Sequence, residues 1–304
     1  MSSKRRRPTG YRAPAPAEPP TRRGLLDSVF PKAFGATPMP KLRRTFARGS
    51  ALVLSTPALA VGVPVSLFVA WLALLAAGFQ GPLAVLNGFA AVPPVGNLTD
   101  LNLSTALFGG AGPGSLAWTF GFVLLRGLVI AVITTVAIER LRGGAVTWWA
   151  LRRLGRVFPV AAAVSVLSLT ALVVGQLIAA LLGAGPGLLA YVGLIIAGIY
   201  LLGFAPAVAA DEDRAFGWAL RRAIRVARMP GSSNLTFAVL YALGAGAVLV
   251  APVPGSDVGV NPAVSAWMVS IVANLLHATA IATLAYRYLA VAGAVPDTAA
   301  VPAR

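Results

Sequence analysis

Cysteine is missing from this chain, histidine occurs once, and only nine of its 304 residues are acidic. The first absence excludes disulfide frameworks, thiol catalysis and cysteine-ligated zinc or iron–sulfur sites together. With His277 alone and few carboxylates, little material is left for a metal centre of another kind, so no metal or cofactor is expected. Charge is scarce too: 11% of residues are charged, against about a quarter in a soluble globular domain. Such a chain cannot cover a folded surface for water, and hydrocarbon is the solvent that remains. No His-Glu-x-x-His, Gly-x-Ser-x-Gly or Walker-type loop occurs, so the chain reads as non-enzymatic.

What fills the sequence is apolar: 58% of residues are hydrophobic and the mean hydropathy is +0.80. Six long apolar runs cover 51–79, 116–138, 157–182, 188–210, 234–252 and 263–290. At 1.5 Å rise per residue, about 20 residues cross a hydrocarbon core ~30 Å thick. The expected fold is therefore all-α, a polytopic bundle of about six transmembrane helices. Pro57 and Pro64 predict a kink in the first run. Residues 1–40, rich in Pro, Arg and Ala, read as a disordered basic cytosolic tail, 41–290 as the membrane domain and 291–304 as a second short tail.

The net charge of +16 raises nucleic-acid binding as a question, and its distribution answers it. The basic tail lacks the interleaved aromatics of a base-stacking platform. The remaining basic residues cluster between apolar runs, and the connections at 80–115, 183–187 and 253–262 contain no Lys or Arg. With six spans, 24 of the 25 Lys and Arg fall on one side. The positive-inside rule then places both termini in the cytosol and the protein in the cell membrane. The external connection 80–115 carries turn residues such as Asn87, Pro93 and Pro94, and Asn97 and Asn102 match the glycosylation pattern.

Two basic loops resemble each other. Trp149-Ala-Leu-Arg-Arg-Leu-Gly-Arg-Val157 matches Trp218-Ala-Leu-Arg-Arg-Ala-Ile-Arg-Val226 at a constant offset, and Leu42-Arg43-Arg44 is a looser copy. The chain thus reads as up to three repeated units, each a basic amphipathic interfacial helix followed by a helical hairpin. Arg152, Arg153 and Arg156, with Arg221, Arg222, Arg225 and Arg228, are the expected contacts to anionic phospholipid headgroups. Asp211, Glu212 and Asp213 are placed to cap the second basic helix. The apolar helix ending in Phe204-Ala-Pro-Ala-Val-Ala-Ala-Asp-Glu-Asp213, followed by that arginine-bearing helix, resembles the integral-membrane domain found with some glycerophosphodiester phosphodiesterases and related six-helix bacterial and archaeal membrane proteins. The resemblance covers about 116–250. It implies a helical membrane unit without catalytic residues, because the phosphodiesterase chemistry of such proteins belongs to a separate soluble barrel.

Within the spans a few polar residues stand out. Arg126 lies near the middle of the second run, where an arginine costs ~2.5–3.5 kcal/mol on insertion scales. Ser270, Asn274 and His277 share one face of the last span, either as glue between helices or, through the imidazole, as a proton relay. Gly193, Ala197 and Gly198 suggest a close-packing face on the fourth. The functional expectation is a transporter-like or lipid-interacting bundle. The alternative is a scaffold or accessory subunit docking a membrane protein partner through the basic tail and loops. Single cysteines introduced at 185 and 257 should react with an impermeant maleimide from outside the cell, and those at 145 and 220 only after permeabilisation. Outside reactivity at Trp148 or Trp218 would reverse the orientation.

Overall fold

The computed structural model of the chain describes residues 39–76, 86–93, 113–147, 152–212, 215–229, 233–250 and 262–292. The expected tails at 1–38 and 293–304, and the Asn97 and Asn102 triplets, lie outside the described residues. Among those described, all regular structure is helical: α1 (Leu42–Ser55), α2 (Pro57–Ala60), α3 (Gly62–Ala76), α4 (Pro113–Leu141), α5 (Leu154–Leu182), α6 (Ala184–Leu202), α7 (Ala205–Asp211), α8 (Phe216–Ala227), α9 (Asn234–Val250) and α10 (Pro262–Val291). Among the described residues four stretches are long and apolar enough to cross a membrane: Pro57–Ala76, Leu154–Leu182, Ala184–Asp211 and Ala263–Val291.

The first apolar run is divided by its prolines unequally. Thr56 precedes Pro57, and the proline ring drives it out of the helical region to φ −101°, ψ 103°. Pro64 sits in the first turn of α3, where the missing N–H costs no hydrogen bond, and causes no break. Residues 51–55, expected at the start of a span, therefore belong to α1 together with the basic segment. α1 lies along α10 and buries Thr45, Gly49, Leu52 and Val53 there. A β-carbon on Gly49 would stand 2.4 Å from the Thr283 hydroxyl, so only glycine permits this approach.

α10 is the centre of the arrangement, packed against α1, α3, α4 and α7. Residues 277–291 of it are buried on every face, whereas its first half turns Val264, Met268 and Val272 outward. The outward residues of α3 (Val65, Phe68, Val69, Leu72) are likewise large and apolar, as a lipid-facing surface requires. Threonines and serines inside the bundle satisfy themselves locally. Thr134 donates to Ile130 O (2.8 Å), Ser165 to Ala161 O (2.7 Å) and Thr283 to Thr279 O (2.8 Å).

α5 and α6 form a tight hairpin. Gly183 ends α5 at φ 97°, a left-handed conformation that glycine adopts without strain, and α6 begins at the next residue. The two helices then touch backbone to backbone. A β-carbon on Gly187 would lie 2.4 Å from Ala179 Cβ and 2.6 Å from Gly175 O, and one on Gly175 would lie 2.9 Å from Tyr191 Cβ. Of the close-packing face expected at Gly193, Ala197 and Gly198, Gly198 is half-buried, and Gly193 and Ala197 take no part in the hairpin seam. Both are exposed, and nothing lies within 4 Å of a β-carbon on Gly193. A stripe of small residues shows that helices could approach, but larger neighbours decide which stripe is covered.

The hairpin yields a direct test. Gly187→Ala forces α5 and α6 apart and should lower stability by about 1–3 kcal/mol, the usual cost of overpacking. Gly185→Ala, where a β-carbon meets open space, should leave thermal stability in detergent nearly unchanged. Equal effects of the two substitutions would contradict the described seam.

Candidate functional site

The expected polar stripe on α10 is assembled as a site, and its partner is a stretch of non-helical chain. Residues 86–93 are all buried. Of the turn-rich connection expected across 80–115, this described part is folded into the bundle and reaches the level of His277, halfway along α10. Leu86 and Phe89 pack with Leu67, Ala70 and Leu74 of α3, which gives the segment an apolar anchor. Its polar backbone then needs partners, because hydrocarbon offers none.

Those partners come from α10 and α9. Asn274 accepts from Ala90 N at 2.6 Å through Oδ1, and its Nδ2 donates to Leu86 O and Ser270 O, each at 2.7 Å. Ser270 donates to Asn87 Oδ1 at 2.6 Å. A chain of three bonds runs beside these: Val92 N donates to Tyr241 Oη (2.8 Å), Tyr241 meets His277 Nδ1 (2.7 Å), and His277 Nε2 meets Asn87 O (3.0 Å). Since a carbonyl can only accept, Nε2 carries the proton and Nδ1 accepts from the tyrosine. Each bond in such a series polarises the next. Tyr241 also stacks on Phe237, with ring centroids 5.8 Å apart.

Arg126 is completely buried on α4, which packs against α10. Its charge is within electrostatic reach of Tyr241 and His277. Arg126, Ser270, Asn274 and His277 are thus all interior. Chemically the stripe works as a clamp. The Ser270 hydroxyl is directed to Asn87, and both imidazole nitrogens are engaged. Among the described residues no three metal-ligating side chains converge.

The seven expected headgroup arginines separate into two kinds. Arg152, Arg156, Arg221 and Arg228 are exposed, and Arg225 is half-exposed. Arg153 and Arg222 turn inward to carboxylates: Arg153 pairs with Glu139 at the end of α4, and Arg222 with Glu212 at 3.3 Å, its guanidinium 5.6 Å from the Trp218 ring. Asp211 pairs with Arg142, and Tyr288 of α10 donates to Glu212. The capping role expected for the acidic run is overturned for its described members. α8 begins after Ala215 with no side-chain cap, while Asp211 and Glu212 bind basic and phenolic groups of other helices. Asp213 lies outside the described residues.

Three polar residues escaped sequence reasoning: Tyr241, Asn234 and Arg287. Arg287 stands at the end of the last apolar run and reads there as an ordinary juxtamembrane charge, yet it is fully buried. Its Nε and Nη2 donate to Asn234 Oδ1 (3.2 and 2.8 Å), and Nη1 to Pro40 O (3.0 Å) and Thr45 Oγ1 (3.3 Å). Asn234 in turn donates to Val226 O and Ala227 O, closing the last turn of α8 (both 3.3 Å). Three separate pieces of chain, the 40–45 stretch, Asn234 and α10 itself, meet at one guanidinium. No local signal marks its burial, because the flanking Tyr286 and Tyr288 suit a membrane–water interface equally well.

Comparison with protein-family models, curated proteins and solved structures finds no match for this chain. Its site is therefore interpreted from its own geometry. Asn274→Leu leaves Ala90 N–H and Leu86 O without partners, at about 1–3 kcal/mol for each buried group. A cysteine at Ala91 should resist an impermeant maleimide in the otherwise unchanged protein and become reactive when Asn274→Leu is added. Rapid labelling of that cysteine without the second substitution would show that the segment does not re-enter.

Proposed function

We propose that this protein is a non-enzymatic, multi-pass protein of the cell membrane that engages anionic lipid headgroups through the basic end of its helix bundle. One observation carries the reading. All three described carboxylates, Glu139, Asp211 and Glu212, are neutralised by partners within the bundle, while Arg152, Arg156, Arg221 and Arg228 remain exposed at the same end. Of fifteen described Lys and Arg residues, only Arg126 lies elsewhere. A surface so biased attracts anionic headgroups at ~1 kcal/mol per basic residue.

The same bias supports a cytosolic placement of that end and of both termini. Six crossings follow if α4 and α9 span beside the four long apolar stretches; α9, with 17 residues, is about 25 Å long and fits a locally thin or tilted passage. The repeat also gains support. Arg153 and Arg222 occupy matching positions of the two similar loops, and each turns inward to a glutamate, while the matching Arg152 and Arg221 point out. The resemblance to the membrane domain of glycerophosphodiester phosphodiesterases carries the same expectation, a membrane unit without catalytic residues of its own.

The test uses the full chain in phosphatidylcholine nanodiscs doped with phosphatidylglycerol. Replacing Arg152, Arg156, Arg221 and Arg228 by Gln should leave the fold intact and strip most retained phosphatidylglycerol, as read by mass spectrometry of the lipid held by the protein. Arg222→Gln should instead lower thermal stability, because it leaves Glu212 less well paired. Unchanged phosphatidylglycerol retention in the fourfold variant would refute the headgroup reading.

A further inference from the structure

α9 packs mainly on α6 and meets α10 chiefly through two polar bridges, Tyr241–His277 and Asn234–Arg287. Beside those bridges α9 stands away from α10, and α1 closes the third side. The result is a groove of about 600 Å³, within the ~300–1,000 Å³ typical of ligand sites. Its walls are apolar and open outward: Phe46, Leu240 and Leu276 line it with 40%, 60% and 49% of their surfaces exposed. On its wall, Gly244 leaves open space where any side chain would project. Arg43, exposed on the first turn of α1, stands at its basic-end mouth.

We propose that this groove holds one acyl chain of an anionic phospholipid, with the lipid phosphate at Arg43. The inference rests on the lipid-interacting reading above and adds a discrete site to it. Two features choose the occupant. The polar groups deep in the wall, Tyr241 and His277, already bond each other and the backbone of 86–93, so nothing there rewards a polar ligand. Among the described residues the only charge on the lining is Arg43, with Lys41 exposed two residues away, which favours an anionic head on the occupant. The slot is too small for a protein partner, since a helix ~10–12 Å across would fill it within about two turns.

The test is photolabelling in phosphatidylcholine nanodiscs with a trace of phosphatidylglycerol bearing a diazirine in its acyl chain. Adducts should concentrate on Leu240, Gly244 and Leu276. They should fall about fivefold with Arg43→Gln, the loss of one basic contact, and disappear with Gly244→Trp, which fills the slot. Gly193→Trp, placed in open space on the outward side of α6, controls for the added indole and should leave labelling unchanged. Equal labelling of Val69 and Leu194 on other outward faces, or equal labelling by a diazirine phosphatidylcholine, would overturn the proposal. So would adduct yields that survive Gly244→Trp, or crosslinks from residues 1–38 in place of lipid. Loss of phosphatidylglycerol in the fourfold arginine variant without any groove labelling would sink this site alone. Groove labelling with an ineffective fourfold variant would sink the broader surface reading alone.

Discussion

A peptide backbone folded into an apolar bundle has no water to bond, and residues 86–93 can occupy that position because α10 and α9 supply the missing partners. Asn274 does most of this, joining one N–H and one carbonyl of the segment to its own helix. The geometry of everything nearby follows. Tyr241 must face α10 to reach Val92 and His277, which sets the rotation of α9. Leu86 and Phe89 must face α3, which sets where that helix lies. Polar groups that would be expensive in lipid thus become the parts that specify one arrangement of apolar helices, which otherwise discriminate poorly among themselves.

A second polar cluster does the same at the basic end, by a different chemistry. Arg287 cannot shed its proton, so its burial demands acceptors, and Asn234 of α9 and the 40–45 stretch provide them. Around it, Asp211 and Glu212 join α4, α8 and α10 through Arg142, Arg222 and Tyr288. Among the described residues each of the three carboxylates, Glu139, Asp211 and Glu212, is consumed in holding the bundle together. Excess basic charge is then left on the outside by arithmetic, and the polarity of the surface is a by-product of how the interior is fastened.

The sequence made some of this legible and hid the rest for identifiable reasons. Apolar runs locate helices because length and composition alone are tested by the bilayer, and Pro57 marks a break because its ring acts on Thr56 alone, whatever the tertiary context. The stripe of Ser270, Asn274 and His277 is visible as a period, yet its partner is not. Asn, Gly and Pro suit a turn in water and a turn inside protein equally well, so 86–93 reads as an external loop. Arg287 is concealed by position, since a charge at the end of an apolar run looks the same whether it leaves the membrane or folds back into it. Gly193 shows the converse difficulty. Small residues advertise a possible contact, but Gly175 and Gly187 carry the real one because the tight turn at Gly183 brings those two together.

The bond between His277 and Asn87 spans 190 positions of the chain. At ~5–20 residues per second of synthesis, Asn87 is made about ten to forty seconds before its partner. Pro40 waits longer still for Arg287. Until the last helix arrives, the early portion of the protein must keep a polar loop and a polar helix start unsatisfied in or beside the bilayer. α5 and α6, by contrast, can seal against each other as soon as both exist. The order of events during biogenesis is thereby written into the fold: a central hairpin that closes early, and an N-terminal third that is finished only when the final helix inserts and locks it from behind.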